Sequence, residues 1–498
     1  RSVLVEIARA LIVLDAREHS AALKELLRKG AGTQFELVVE PALARWSDAE
    51  MFATWKQRIT ARDVPRHRRL LALQALAELS ADMTGDQQLH EELRTLIATS
   101  RDTAVVLEAA RTLGKVKRVD LEPLARELLS SADADADTDG QRKRLAGVYL
   151  LLHHSSDGSR DLLLRVIKEG LTELRRAPMI RAAWRRLLQQ DVSELASLAP
   201  LALQHSDPEV RRAAIDTLIR FPSKDGVGLL GVALDDRHPD IRRASRQGLF
   251  QLSGDESFKE SIRAAGVAAV ARTSWREQEQ AIVLLVLLDQ SIATDRMLEL
   301  LHSPRGEVAI AAAWGLRRLN VAPTMVALLE YAETMDQQIN DEEPLSPHEA
   351  IVLAHVFEAL GRAKHQPAIP LLRRWVSKNS PRVAKDAARS AAVWSLGWLY
   401  EDSRDVELAQ ALKARVLDVV SLTPESAPVR HASAITLGRI GAVEVAADLK
   451  PIARQRQVVA DLAAAWAVAR LTGEVIPPPD APISSGNRWK LSPIGSRK

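Results

Sequence analysis

Apolar residues recur along two neighbouring stretches of the chain at the spacing of an amphipathic helix and at a constant offset. In DPEVRRAAIDTLIR, which begins at Asp207, the apolar residues Val210, Ala214 and Leu218 lie four positions apart and share one stripe of a helix. The same order of residue types returns 31 positions later in HPDIRRASRQGLF, which begins at His238. A fixed period of this size predicts supersecondary units stacked on one another.

Each copy carries the signals of a helix start and of a paired helix. Pro208 suits the first turn of a helix, because backbone N–H groups there have no acceptor within the helix and proline lacks this group. Asp207 suits the N-cap. A shorter apolar segment, Leu195–Gln204, precedes it and predicts a first helix, so the unit is a helical hairpin. Alanines along the stripe allow close approach of the next helix. One hairpin cannot bury its apolar faces alone and needs neighbours on both sides.

These segments resemble the HEAT-repeat family, including its HEAT-like, PBS-lyase-type members, in the form DPEVRRAAIDTL and HPDIRRASRQGL. Weaker copies, such as APVRHASAITLGRIG from Ala427, recur along most of the chain. The resemblance implies an all-α fold: an α-solenoid (superhelix) of about twelve stacked hairpins. One leucine near the end of each second helix marks the repeats: Leu79, Leu113, Leu151, Leu187, Leu218, Leu249, Leu285, Leu316, Leu360, Leu396, Leu437 and Leu471.

The pattern divides the chain into three regions. Residues 1–62 are predicted to form capping or divergent helical repeats, residues 63–473 the repeat solenoid, and residues 474–498 a Pro-rich extended tail. Two acidic loops, 130–141 and 333–348, are predicted to interrupt the repeats. Such insertions lie on one edge of a solenoid and often carry its binding function.

Composition narrows the possible functions without choosing one. The 498 residues contain no cysteine, which excludes disulfides, thiolate metal sites and cysteine nucleophiles. The net charge of +3 makes no strong case for nucleic acid or an anionic membrane. Ala281–Leu288 is the most apolar run and is too short to span a bilayer. The chain starts at Arg1, so we expect upstream residues to be missing. A cytoplasmic protein and one exported with a signal outside this chain both remain open.

The first acidic loop resembles half of a calcium-binding loop. Asp135, Asp137 and Asp139 occupy its first, third and fifth positions, and Gly140 follows as the turn residue. The second half differs, because Ala146 stands where a bidentate glutamate is needed and basic residues follow Gly140. The alternatives are a calcium site and a solvated acidic loop, and the sequence favours the loop.

Arginines near the start of the second helices suggest a basic ladder. Arg212 and Arg243 hold equivalent positions and are expected to face a partner, whereas Arg211, with its equivalent Arg242, is predicted to pair with an acid such as Asp236 as part of the fold. A second basic group is Arg181 with Arg185, on either side of Trp184. These arginines could contact phosphates or an acidic protein surface.

Trp394 and Trp398 lie four residues apart, so they share one side of a helix. They are either an exposed anchor for a partner or part of the core between repeats. No P-loop, dinucleotide-binding turn, nucleophile elbow or zincin motif occurs. The sequence therefore predicts a non-catalytic scaffold without a cofactor, which binds a protein along its concave face or acidic loops. The alternative is a nucleic-acid or polyanion-binding protein that uses the arginine ladder.

Overall fold

The computed structural model describes residues 2–61, 63–79, 86–130, 138–173, 176–340, 345–378, 382, 385–455 and 458–477. Within these ranges the chain forms 27 α-helices, several short 3₁₀ turns and no β-strand. The all-α prediction is confirmed. None of the described helices combines the length and apolarity needed to cross a membrane.

The chain divides into two compact units, Arg1–Phe221 and Pro222–Lys498. The helices described in the first unit are α1 (Ser2–Val13), α2 (Ser20–Arg28), α3 (Thr33–Arg45), α4 (Ala49–Thr60), α5 (Arg66–Glu78), α6 (Gln87–Thr99), α7 (Thr103–Lys117), α8 (Glu122–Leu129), α9 (Thr138–Leu151), α10 (Asp157–Gly170), α11 (Ala177–Gln189), α12 (Leu195–Ala202) and α13 (Pro208–Arg220).

The second unit continues the same alternation of first and second helices. Its described helices are α14 (Lys224–Val232), α15 (Pro239–Leu252), α16 (Glu256–Ala271), α17 (Trp275–Leu287), α18 (Thr294–Leu300), α19 (Gly306–Leu319), α20 (Met325–Asn340), α21 (Pro347–Arg362), α22 (Ile369–Arg374), α23 (Asp386–Leu399), α24 (Val406–Leu417), α25 (Ala427–Arg439), α26 (Ala446–Gln455) and α27 (Val459–Thr472).

Within each unit, the helices pair as hairpins and the second helices stack side by side. Each even-numbered helix packs on the odd-numbered helix that follows it, and each odd-numbered helix also packs on the next odd-numbered one. The twelve marker leucines all lie in, or directly after, the odd-numbered helices α5 to α27, and all but Leu471 are buried. The predicted helical hairpins, stacked on one another within each unit, are therefore confirmed.

The start of α13 shows how the local sequence sets a helix boundary. The Asp207 side chain accepts hydrogen bonds from the backbone N–H groups of Glu209 (2.8 Å) and Val210 (3.3 Å). Pro208 occupies the first turn, as predicted. This cap satisfies donors that the helix itself leaves without partners.

Close approach of neighbouring second helices depends on small residues. A Cβ atom added at Gly361 of α21 would lie 2.5 Å from Cβ and 2.7 Å from Cα of Ser395 on α23. The Ser395 hydroxyl donates to the carbonyl of Phe357, 2.8 Å away on α21. One pair later, the hydroxyl of Thr436 donates to the carbonyl of Val393 at 2.8 Å. The side chains thus bond to backbone carbonyls across interfaces where the helices nearly touch.

The predicted acidic loop 333–348 is wrong over its first half, because α20 continues to Asn340. Tyr331, Met335 and Ile339, spaced four residues apart, are buried along one side of this helix. Asp336 is buried beside them and accepts a hydrogen bond from Trp375 Nε1 at 2.9 Å. The acidic residues of this segment suggested a loop, although its apolar residues have the spacing of a helix.

The structure corrects one further predicted boundary and leaves others untested. Helix α9 begins at Thr138, so 138–141 is helical and not loop; residues 131–137 lie outside the described residues. Of the predicted tail, residues 474–498, only 474–477 are described. The division between Phe221 and Pro222 was not predicted, and the divisions at 62 and 473 stay predictions.

Helix α21 is almost completely enclosed and contains a buried histidine. Every residue from Val352 to Gly361 is buried, including His355. Among the residues that the structure describes, neither ring nitrogen of His355 has a hydrogen-bond partner. Burial, with a smaller effect of the Arg317 charge, lowers the pKa of His355 well below 6.5, so the folded protein holds this ring neutral.

We expect Gly361→Ala to lower the free energy of unfolding by about 1–3 kcal/mol, because the added methyl group overlaps Ser395 at a backbone-to-backbone contact. Gly228→Ala in α14 is the matched control. A Cβ at Gly228 meets nothing within 4 Å, so this change should stabilise the helix by about 0.5–1 kcal/mol. Urea denaturation followed by circular dichroism measures both. Equal shifts in the two variants would contradict the packing argument.

We expect acid to destabilise the protein through His355. The unfolded chain takes up a proton near pH 6.5 and the folded protein does not, so the free energy of unfolding falls as the pH drops below 6.5. His355→Leu should reduce this fall, measured by urea denaturation at about pH 7.5 and about pH 5. A fall as steep in the variant as in the wild type would show that other groups cause it.

Candidate partner-binding surface

An arginine seven residues before the marker leucine connects the two helices of several hairpins. Its guanidinium donates to backbone carbonyls at the end of the first helix or in the loop between the helices. The pairs are Arg211 with His205 (2.8 Å), Arg242 with Asp236 (2.9 Å) and Arg430 with Val416 (3.1 Å). These carbonyls have no partner within the helix, so the arginine satisfies them. We call these residues the hairpin arginines.

Two arginines at this position, Arg389 and Arg430, also pair with acids of the next repeat. Arg389 is fully buried and donates to both carboxylate oxygens of Glu425, at 2.8 and 2.7 Å. Arg430 Nη2 lies 3.7 Å from the carboxylate of Asp461 on α27. Together with the backbone contacts of Arg211 and Arg242, these pairs support the structural interpretation of this position.

Arg212 and Arg243, each one residue further on, are exposed. The Arg212 side chain pairs with Asp216 at 2.9 Å, and that of Arg243 pairs with Asp240 at 2.5 Å, in each case on the same helix. An adjacent carboxylate offsets the attraction of each arginine for a phosphate. These pairs weaken the argument for a polyanion ladder, although both residues remain accessible to a protein partner.

The tryptophan between Arg181 and Arg185 is not available for stacking. Trp184 is fully buried, and its Nε1 donates to the hydroxyl of Thr217 at 2.7 Å. Arg185 is exposed and Arg181 is half-buried. The structure therefore leaves two basic side chains at this place without an aromatic platform between them.

Trp394 and Trp398 enclose an arginine from the neighbouring repeat. Both indole rings are half-buried, and Cζ of Arg439 on α25 lies 4.2 Å from the centroid of each. The imidazole ring of His431 is stacked parallel to the indole of Trp394, with the ring centroids 6.5 Å apart and an interplanar angle of 7°. Cation–π attraction holds the guanidinium in place. The two tryptophans thus contribute both to the inter-repeat contact and to the surface.

The same surface continues onto α27. Trp466 is 41% exposed, and Cζ of Arg470 lies 5.9 Å from its ring centroid. Arg470 Nε donates to the carbonyl of Gly438 at 3.0 Å. A Cβ at Gly438 would lie 2.6 Å from the Trp466 ring. The indole can therefore pack against α25 only because position 438 is a glycine. We define the tryptophan–arginine face as Trp394, Trp398, Arg439, Trp466 and Arg470.

Sequence reasoning found two of these five residues and missed the other three. Arg439 lies two positions after its marker leucine and Trp398 two positions after its own, so both occupy the same stripe of successive second helices. Comparing equivalent positions between repeats would have paired them. The spacing of residues within a single helix could not show that Arg439 and Trp398 meet.

The calcium prediction is only partly covered by the structure. Asp139 pairs with Arg142 and, at 2.8 Å, with Lys143, so basic side chains already neutralise it. Asp135 and Asp137 lie outside the described residues. In the part of the chain that is described, no group of three His, Asp or Glu side chains is placed to hold a metal ion. The calcium site stays a prediction.

Comparison with known proteins identifies the repeat. Residues 195–265 match the family model for HEAT repeats, so the chain contains HEAT repeats and the resemblance seen in the sequence is confirmed. This range includes both copies of the pattern in which the repeat was first recognised. No curated protein matches the chain in sequence.

Solved structures show the same fold at low sequence identity. An importin β crystallised in ammonium sulfate is 13% identical, with a TM-score of 0.52, and the match covers 95% of this chain and 71% of that one. Kap95p structures with RanGDP and with Nup1 are also 13% identical, with TM-scores of 0.49 and 0.46; each match covers 91% of this chain and 72% of that one. The importin β likeness establishes the helical-repeat fold and does not specify a partner.

We expect Arg389→Ala to destabilise the second unit by about 3–5 kcal/mol, because it leaves the Glu425 carboxylate buried without its partner. Arg243→Ala removes an exposed pair and should change the unfolding midpoint little. Thermal and urea unfolding compare the two variants. If they lose equal stability, the hairpin arginine has no special structural role.

Proposed function

We propose that the protein is a non-catalytic HEAT-repeat scaffold that binds a protein partner through the tryptophan–arginine face. The observation that carries this proposal is the exposure of Trp466, 41% of whose surface is open to solvent beside Arg470. Tryptophan and arginine are the residue types most often found at the centres of protein interfaces. The HEAT-repeat fold supports the scaffold part of the proposal.

The geometry of the face suits binding without large rearrangement. Arg439 is held between two indole rings, and Arg470 is tied to the carbonyl of Gly438, so these long side chains have already lost much of their freedom. A partner then gains contacts at a reduced entropic cost. The face offers apolar ring surface together with N–H donors, which matches the mixed chemistry of interface centres.

The charge around the face is mixed. Arg470 Nη2 lies 3.3 Å from a carboxylate oxygen of Asp402, and Lys364 pairs with Glu401 at 2.8 Å. A surface with alternating charges is complementary to a protein surface of mixed charge. It is less complementary to a polyanion, whose charge is uniformly negative. This distribution supports protein binding in preference to the nucleic-acid alternative.

We expect Trp466→Ala to weaken partner binding by more than about 2 kcal/mol, roughly 30-fold, because it removes the exposed aromatic anchor. The measurement is affinity capture from an extract of the source cells, followed by quantitative mass spectrometry and then titration of the captured protein. Val326→Ala is the control, since Val326 is exposed on α20 and outside the face.

Unfolding midpoints of both variants establish that the scaffold itself is intact. Failure of the wild-type protein to retain any partner above the resin background would count against a scaffold function. Equal retention by the wild type and Trp466→Ala would instead remove the tryptophan–arginine face as the binding surface.

A further inference from the structure

A cavity of about 230 Å³ in the first unit collects arginines from two successive hairpins. Arg126 comes from α8, Arg144 from α9, Arg165 from α10, and Arg176 directly precedes α11. One carboxylate, Glu169, also lines the cavity. Four guanidiniums and one carboxylate make the lining strongly positive.

Two glycines bring these arginines together. A Cβ at Gly147 of α9 would lie 3.0 Å from the carbonyl oxygen of Ala125 on α8, so its absence lets the two helices approach closely. A Cβ at Gly170, at the end of α10, would lie 2.9 Å from the side chain of Ile180 on α11. The same Cβ would lie 3.4 Å from Cβ of Arg176, so the glycine leaves room for Arg176 beside α10.

The positive charge at the cavity is only partly neutralised. Arg176 pairs with Glu173 at 2.7 Å. Arg126 and Arg165 are exposed, and neither forms an ion pair with any acid in the ranges that the structure describes. Their N–H groups are therefore available to a ligand that brings its own negative charge, and a guanidinium fork fits the oxygens of a phosphate or a carboxylate.

The remainder of the lining is apolar. Leu162 and Met179 are buried in the wall, and Leu129 and Val166 complete it. Such a wall favours a ligand whose anionic head is carried on an apolar stem over a fully hydrated inorganic ion. A dianionic head gains more than a carboxylate from a lining with this excess of positive charge.

We infer that this cavity binds a phosphate monoester, with Arg126 and Arg165 holding the phosphate and the apolar wall holding the stem. The ligand is either a phosphorylated side chain of another protein or a small phosphate ester. The site lies in the first unit and uses none of the residues of the tryptophan–arginine face. Its test is independent of the proposed function.

The test is calorimetric titration of the full chain with phenyl phosphate, and with a phosphotyrosine peptide beside its unphosphorylated form. We expect saturable binding of phenyl phosphate and a loss of at least about tenfold in Arg126→Gln and Arg165→Gln, since each change removes a charge-assisted contact. Arg45→Gln, at an exposed arginine of α3 outside the cavity lining, is the control and should bind as the wild type does.

Tighter binding of the phosphopeptide than of phenyl phosphate would identify a phosphorylated protein as the source, and equal binding would identify a small ester. Absence of saturable binding to both ligands at millimolar concentration overturns the inference. Unchanged affinity in both arginine variants, with folding verified by circular dichroism, overturns it as well.

Discussion

Several of the hairpins are held together by an arginine that bonds across its own helical pair. Arg211 donates to the carbonyl of His205, and Arg242 donates to that of Asp236, so a side chain of the second helix supplies the hydrogen bonds that the chain cannot make where the first helix stops. Arginine suits this position because it stays charged when buried and carries several donors on a long stem. Where an acid of the next repeat is added, as in Arg389 with Glu425, the same residue also links neighbouring hairpins.

The helical hairpins could be predicted from sequence because their signals are local. Spacing by four, an aspartate cap and a proline in the first turn all act within about one helix, so DPEVRRAAIDTL was sufficient to place α13. The extension of α20 through residue 340 was missed for the opposite reason. Its acidic residues look like a loop until Asp336 is seen buried against Trp375, a contact 39 residues away along the chain.

The candidate surfaces were less predictable, because each is assembled from different repeats. Trp394 and Arg439 are 45 residues apart in the chain and meet only when their helices stack. Arg126 and Arg165 likewise lie on separate hairpins of the first unit. The repeat pattern explains the architecture, but it does not by itself specify which residues meet at either surface.

The enclosure of α21 has a consequence for how the second unit opens. Every residue from Val352 to Gly361 is buried, and the helix is covered by neighbours on both sides in the stack. Its amide protons can exchange with deuterium only when those neighbours separate, whereas the ends of the unit can fray independently. Exchange should therefore proceed inward from the edges, with this helix the last element of the unit to lose its amide protection.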